Sequence, residues 1–280
     1  MPEIIWFSFS PLKSAQLILA KEAVLTPFGF KHDRTLAVFD AHGNVITQRV
    51  KPQMCLIRQY LDHDILTLVA PKLPPLSINL ADPSIHDDRP NISIFKREGG
   101  AFDLGDAAAF WISKAVGKDG CRLVQNDPLH PRVRFSDTLK KDLPLHFQDA
   151  DQLSFLDIAT LDQLKRNLVM RGARPINANH YRMNFFVKGL GPGGEGEAKK
   201  LIAGDIPLNN ARLCERCTVP QIDPETGVMD RTEPTATLKK FPIMKPWPDD
   251  TRTGPFFGSQ FSPAIDREVT ISTSDPLRIG

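Results

Sequence analysis

The apolar positions of this chain fall mostly in short runs broken by Gly, Pro, Asn and Asp, a pattern of strands and turns rather than of long helices. Ile4–Phe9 is strongly apolar and predicts a strand. Leu36–Phe39 and Val45–Thr47 flank Asp40-Ala41-His42-Gly43-Asn44, whose Gly and Asn predict a hairpin turn. Met54–Tyr60 and Ile65–Val69 predict a second pair around Asp62-His63-Asp64, and the proline-punctuated Lys72–Ser77 predicts an edge or a loop. A first helix is expected from Asp106, which can cap free amides ahead of an alanine-rich run, with Gly117 as its stop. Asn126 to Asp149 has no sustained period and reads as a linker between two halves. Thr160 and Gln163 have capping-box spacing, and Leu161, Leu164 and Leu168 follow at helical intervals. After a strand at Asn184–Val187, the Gly-rich stretch Gly189–Gly196 lacks the Lys-Ser/Thr of a phosphate loop and reads as a flexible surface turn. From Ile206 the short strands return, and Asp223-Pro-Glu-Thr-Gly227 has the residues of a tight turn. The expected fold class is α+β, rich in strands, with barrel-like sheets and few helices.

Composition narrows the reading. The chain has 280 residues, 41% hydrophobic and 24% charged, which is enough apolar material for a core of one large or two medium domains. A net charge of +2 without long single-sign blocks carries no footprint of nucleic-acid binding, so an anion would be held in a local pocket. No apolar stretch is long enough to span a bilayer, and the first residues lack the basic and apolar regions of an export signal. A cytoplasmic protein without membrane contact is expected, and its four cysteines are expected as free thiols.

Two of those thiols form Cys214-Glu-Arg-Cys217. On spacing alone this is half of a zinc site, a redox pair or an accident. A zinc site needs about two more ligands, and the nearest histidine is His180. A redox pair wants a parallel βαβ setting, whereas this stretch is strand-like. On spacing alone a structural or incidental role is as well supported as a functional one, and Arg216 shifts the balance only a little toward a thiolate, the form that binds soft metals, because an adjacent cation lowers a thiol's pKa.

The wider context resembles a known family. Cys214-Glu-Arg-Cys217 followed by Asp223-Pro-Glu-Thr-Gly227 is similar to the signature of MOSC-domain molybdenum-cofactor proteins, in the branch with the mitochondrial amidoxime-reducing component and its bacterial relatives. Glu233-Pro-Thr-Ala-Thr-Leu238 and Pro255-Phe-Phe-Gly-Ser-Gln-Phe261 resemble later motifs of that branch. Pro11-Leu-Lys-Ser14, Asp33-Arg34 and Thr47-Gln-Arg49 resemble its N-terminal blocks, in the same order along the chain.

The resemblance implies a MOSC N-terminal β-barrel-like domain at 1–122 and a MOSC domain at 123–280, with molybdenum cofactor in the cleft between them. It implies Cys217 as metal ligand and catalytic residue, with Cys214 not a ligand. It implies Lys13, Ser14, Arg34, Arg182, Asn184 and Arg216 around the pterin and its phosphate, with the backbone near Asp149 and Asp151 lining the site. A phosphate dianion calls for such donors. The implied activity is reduction of N-hydroxylated compounds such as amidoximes and hydroxylamino bases. No cysteine follows Cys217, so a separate electron donor is expected, ferredoxin-like or cytochrome b5-like with its reductase. The alternative is a carrier or transferase of sulfur or cofactor using Cys217. Pyridoxal phosphate binding belongs only to the wider family, and no such domain is present to make a complete sulfurase. The chain departs from the pattern at Ala15-Gln16-Leu17, Thr35-Leu36 and Met183, changes that bear on substrate shape more than on cofactor binding.

Overall fold

The computed structural model describes residues 1–81 and 90–280. Its centre is an eight-stranded sheet that joins both ends of the chain. In spatial order the strands are Ile18–Ala20, Glu3–Phe9, Phe185–Lys188, Leu153–Asp157, Phe256–Pro263, Ile206–Glu215, Lys200–Ala203 and Leu277–Ile279. Neighbours run antiparallel except Leu153–Asp157 against Phe185–Lys188, which are parallel and joined through helix Ile158–Met170. A parallel pair needs such a crossover because a tight turn cannot return the chain in the same direction. The first strand is thus inserted beside the second half, with Phe7 opposite Phe185.

Side chains alternate across this sheet, and both faces are covered. On one face Phe7, Phe30, Phe155, Phe185 and Phe261 form a pile, with Phe155 and Phe185 stacked at 4.0 Å. On the other, Trp6 stacks on Phe186 at 4.6 Å, and Leu161, Leu164 and Leu168 of the helix pack on Phe186 and Phe257. Burying each such side chain contributes roughly 1.5–3 kcal/mol.

A five-stranded sheet runs Asn91–Ile94, Arg97–Asp103, Arg122–Asn126, Leu36–Phe39 and Val45–Ile46, with helix Gly105–Val116 and a meander of Arg58–Asp62, Ile65–Val69 and Leu76–Asn79 around a second core. Gly117 ends the helix in the left-handed conformation, as its position predicts. Among the described residues no helix is long and apolar enough to cross a membrane. The chain is strand-rich α+β, as expected.

Several local expectations are corrected. Met54–Leu56 lies in a single 3-10 turn, Pro52–Leu56, so Cys55 fills the core from there and not from a strand. Asp106 is not the cap of its helix; Asp103 Oδ1 accepts from Gly105 N at 2.8 Å, and Asp106 pairs with Arg122. The second helix is capped by Asp157, whose Oδ1 accepts from Ala159 N at 2.7 Å. Thr160 sits inside that helix. Its hydroxyl accepts from Gly193 N and donates to Glu195 Oε2, both at 2.8 Å. The Gly-rich stretch is therefore docked on the helix start and not a loose surface turn, and Glu195 is fully buried.

The presumed linker after Asn126 contains a hairpin, Arg132–Ser136 with Lys141–Leu145. Its first strand inverts the usual pattern. Arg132, Arg134 and Ser136 point inward, while Val133 and Phe135 are 43% and 54% exposed. The buried arginines are compensated, Arg132 by the carbonyls of His146, Gln148 and Ile94, and Arg134 by Asp151.

Candidate functional site

The end of the first strand begins the site. Past Phe9 the chain turns through Ser10 and Pro11, and Lys13 N donates to Leu36 O at 2.8 Å, which fixes the Lys13-Ser14 corner against the second sheet. Ser14 lies in the left-handed region at φ 75°, as do Arg34 and Arg182, each at φ 53°. For a residue with a Cβ this conformation costs of order 1–3 kcal/mol. All three strained residues face one cleft, a solvent-open space of about 820 Å³ where the two halves of the chain meet.

Two buried groups hold the cations there. Asp33 is fully buried; its Oδ1 accepts from Ser10 N at 2.8 Å, and its Oδ2 takes Arg34 and, at 2.9 Å, Asn184 Nδ2. Arg34 Nη2 then donates to Arg182 O at 2.9 Å. Asn184 uses every bonding position of its amide. Nδ2 also donates to Ser8 O at 3.2 Å, while Oδ1 accepts from Ser154 N and Ser154 Oγ at 3.1 and 2.9 Å. Asn184 thus positions Asp33 and Ser154 and has no bond left for a ligand.

On the facing wall Lys13 Nζ donates to Phe147 O at 2.7 Å and pairs with Asp149. Asp149 also pairs with Arg49, and its side chain keeps 37% of its exposure. Burial alone would raise Asp149, but Lys13 and Arg49 outweigh it and hold the carboxyl well below its ordinary range. Burial pushes the Lys13 ammonium down, with Asp149 opposing. Arg182 is the uncompensated cation. Burial and then Arg34 push it down to about 9, and its Nη2 is buried without a hydrogen-bond partner. Lys13, Arg34, Arg49, Arg182 and Arg216 line the cleft with the carboxylates Asp149 and Asp151, and Asp33 lies behind Arg34.

Cys217 follows the long strand Ile206–Glu215 and opens into this cleft; it is exposed, while Cys55, Cys121 and Cys214 are buried. Its sulfur accepts from Val219 N at 3.5 Å. The cation beside it is Arg49, not Arg216. Burial works against the charge of Arg49, but the nearby charges of Asp149 and Cys217 overcome it and raise its pKa. Arg216 turns the other way. Its Nε donates to Phe257 O at 2.9 Å, its guanidinium lies 5.1 Å from the Tyr181 ring, and its charge acts on Cys214, whose thiol burial nonetheless pushes up. Asp151 also points away: its side chain is buried against Arg134 and, at 3.9 Å, Arg212, and burial raises it.

The structure therefore brings Lys13, Ser14, Arg34, Asp149, Arg182 and Cys217 to one cleft, with Asn184, Arg216 and Asp151 at its walls but committed to protein partners. Arg49 was not anticipated as a site residue. It lies 168 positions before Cys217, and its only sequence signal is its place in Thr47-Gln-Arg49. Among the described residues no group of three or more His, Cys, Asp or Glu could hold a metal by itself.

Residues 1–119 match the MOSC N-terminal beta barrel domain, and residues 142–278 match the MOSC domain. The mouse mitochondrial amidoxime-reducing component 1 is 31% identical over 286 residues, covering 95% of this chain and 79% of the relative. The human protein of that name is 29% identical, covering 95% and 80%. A solution structure from Bordetella bronchiseptica aligns with 41% of this chain and 93% of its own at 22% identity, with a TM-score of 0.31, too distant to bear on the fold.

Proposed function

The chain belongs to the MOSC-domain family that includes the mitochondrial amidoxime-reducing components, and on that premise we propose that it is a molybdenum-cofactor oxidoreductase acting on N-hydroxylated compounds. The observation that carries this reading is the pairing of an exposed thiol with an unpartnered, buried guanidinium in one cleft, Cys217 and Arg182 Nη2. The residues fit the group. A pterin phosphate would satisfy the orphaned Nη2 and offset the cationic excess of Lys13, Arg34 and Arg182, and Ser14 offers a hydroxyl beside them. A thiolate is a soft ligand suited to molybdenum, and a metal at Cys217 would bring its remaining ligands with the pterin.

Bound there, the cofactor would supply the two-electron chemistry by which the N-bound oxygen leaves as water. The chain's part is to hold and orient. Lys13, Arg34 and Arg182 would anchor the anionic end, with Arg49 beside them through Asp149, and Cys217 would fix the metal end. Asp33 and Asn184 keep Arg34 aimed. In this reading residues 1–122 and 123–280 form two domains that share the cleft, the first bringing Lys13, Ser14, Arg34 and Arg49 and the second Arg182 and Cys217. Electrons come from a separate donor, ferredoxin-like or cytochrome b5-like with its reductase.

The test is metal content and benzamidoxime reduction with an artificial electron donor, after expression in a cofactor-producing host. About one molybdenum per chain and turnover are expected, with both lost in Cys217→Ala. Wild-type chain without molybdenum, or a variant as active as wild type, would overturn the reading. Labile sulfur without metal would point to a sulfur carrier instead.

A further inference from the structure

Asp149 is an acid in a cleft otherwise built for an anion. Its Oδ1 takes Lys13 and its Oδ2 takes Arg49, so each oxygen occupies one of the cations that face the cleft. Arg97 holds its backbone, donating to Asp149 O at 3.2 Å. The side chain is 37% exposed in the cleft and is held by those two ion pairs, unlike Asp33, which is sealed among Ser10, Arg34 and Asn184. Asp33 therefore cannot be exchanged for a ligand, whereas Asp149, with that exposure, is the carboxylate a ligand in the cleft can reach.

We propose that Asp149 is the cleft's internal counter-ion, competing with an incoming phosphate for Lys13 and Arg49 and setting how tightly the cleft holds an anion. This rests on the reading of the cleft as a phosphate site and specifies which residue regulates it. Two consequences follow from charge alone. With Asp149 in place, Lys13 and Arg49 are neutralised pairwise to the extent of one charge, and the full attraction of the cleft is felt only by a ligand able to displace the carboxylate. Without it, Lys13 and Arg49 both turn to the ligand, joining Arg182 and Arg34. Asp149 thus makes the cleft selective: a dianion with several oxygens competes well against one carboxylate, and a monoanion such as chloride competes poorly.

The experiment uses the full chain produced in a host that makes no molybdopterin, with inorganic phosphate as the probe at constant ionic strength. Calorimetric titration is run on wild type, Asp149→Asn, Asp149→Ser and Arg182→Gln, with circular dichroism and Tm recorded for each. Expected are saturable phosphate binding to wild type, at least tenfold tighter binding in Asp149→Asn, and weaker binding in Arg182→Gln. The serine variant gives the same increase and stands in if the asparagine variant does not fold. Equal or weaker binding in the folded Asp149 variants overturns the proposal and makes Asp149 a buttress for the two cations, with the phosphate reading intact. No saturable binding in any variant removes the phosphate reading and the proposal together.

Discussion

Asn184 offers a sharp test of what holds the cleft. Replacement by Ala removes four hydrogen bonds at 2.9–3.2 Å, two of them buried and two partly buried. The bond to the fully buried Asp33 carboxylate is charge-assisted and contributes about 1.5–3 kcal/mol, and leaving Ser154 N without its acceptor costs about 1–3 kcal/mol. Because such terms overlap, the expected loss is about 4 kcal/mol. At about 2.1 cal/mol/K per residue, 280 residues give an unfolding entropy near 0.6 kcal/mol/K, so Tm falls by about 7 °C. Asn184→Asp should be worse at neutral pH, because it sets a second carboxylate against Asp33 Oδ2 where the amide now donates at 2.9 Å. Its acid would have a raised pKa, so its stability is highest at low pH and is lost as pH rises through that value. Urea denaturation from pH 5 to 8, with molybdenum content, measures both effects. Stability within 0.5 kcal/mol of wild type for Asn184→Ala, or a pH-independent Asn184→Asp, would refute the view that Asn184 is a positioning hub.

Glu195, pushed up to about 8 by burial, binds a proton in the fold that the unfolded chain releases near its ordinary value. Its contribution is full at low pH and declines as pH rises toward 8, by up to about 1.4 kcal/mol per unit; Glu195→Gln should flatten that slope in urea titrations. Arg134→Ala strands Asp151 in the interior and is expected to destabilise by about 3–5 kcal/mol, whereas Arg134→Met with Asp151→Leu should recover most of the loss, as read by urea midpoints. Lys96 holds a φ of 61° in the two-residue turn between Asn91–Ile94 and Arg97–Asp103, a position that favours glycine. Lys96→Gly should therefore stabilise by about 0.5–1 kcal/mol, and a lower urea midpoint would count against it.

Where burial follows apolar pattern, the sequence was readable. Ile4–Phe9, the Leu36–Phe39 hairpin and the Leu161-Leu164-Leu168 stripe all sit where their periodicity put them. The Arg132–Ser136 strand was unreadable because charge is inside and Phe135 outside, an arrangement permitted only by carbonyls and an aspartate distant in sequence. Thr160 had the spacing of a cap, but Asp157 was nearer the true helix start, and the hydroxyl serves the Gly-rich segment instead. In the cleft, motif order pointed to Lys13, Arg34, Arg182 and Cys217. It could not say that Arg216, adjacent to Cys217, faces Tyr181, or that Arg49 arrives from the other half. Adjacent residues on an extended chain diverge, so adjacency was a poor guide to which cation meets the sulfur.

The seating of Glu3–Phe9 beside Phe185–Lys188 also sets a timetable for biosynthesis. Ribosomes add about 5–20 residues per second, so this earliest segment waits roughly ten to forty seconds before its neighbour is made. Throughout that interval Glu3–Phe9 has only the short strand Ile18–Ala20 to pair with, and Trp6 and Phe7 lack their partners Phe186 and Phe185. A newborn chain of this kind is a natural client for holding chaperones, and its yield should respond to their supply more than to the speed of any later step.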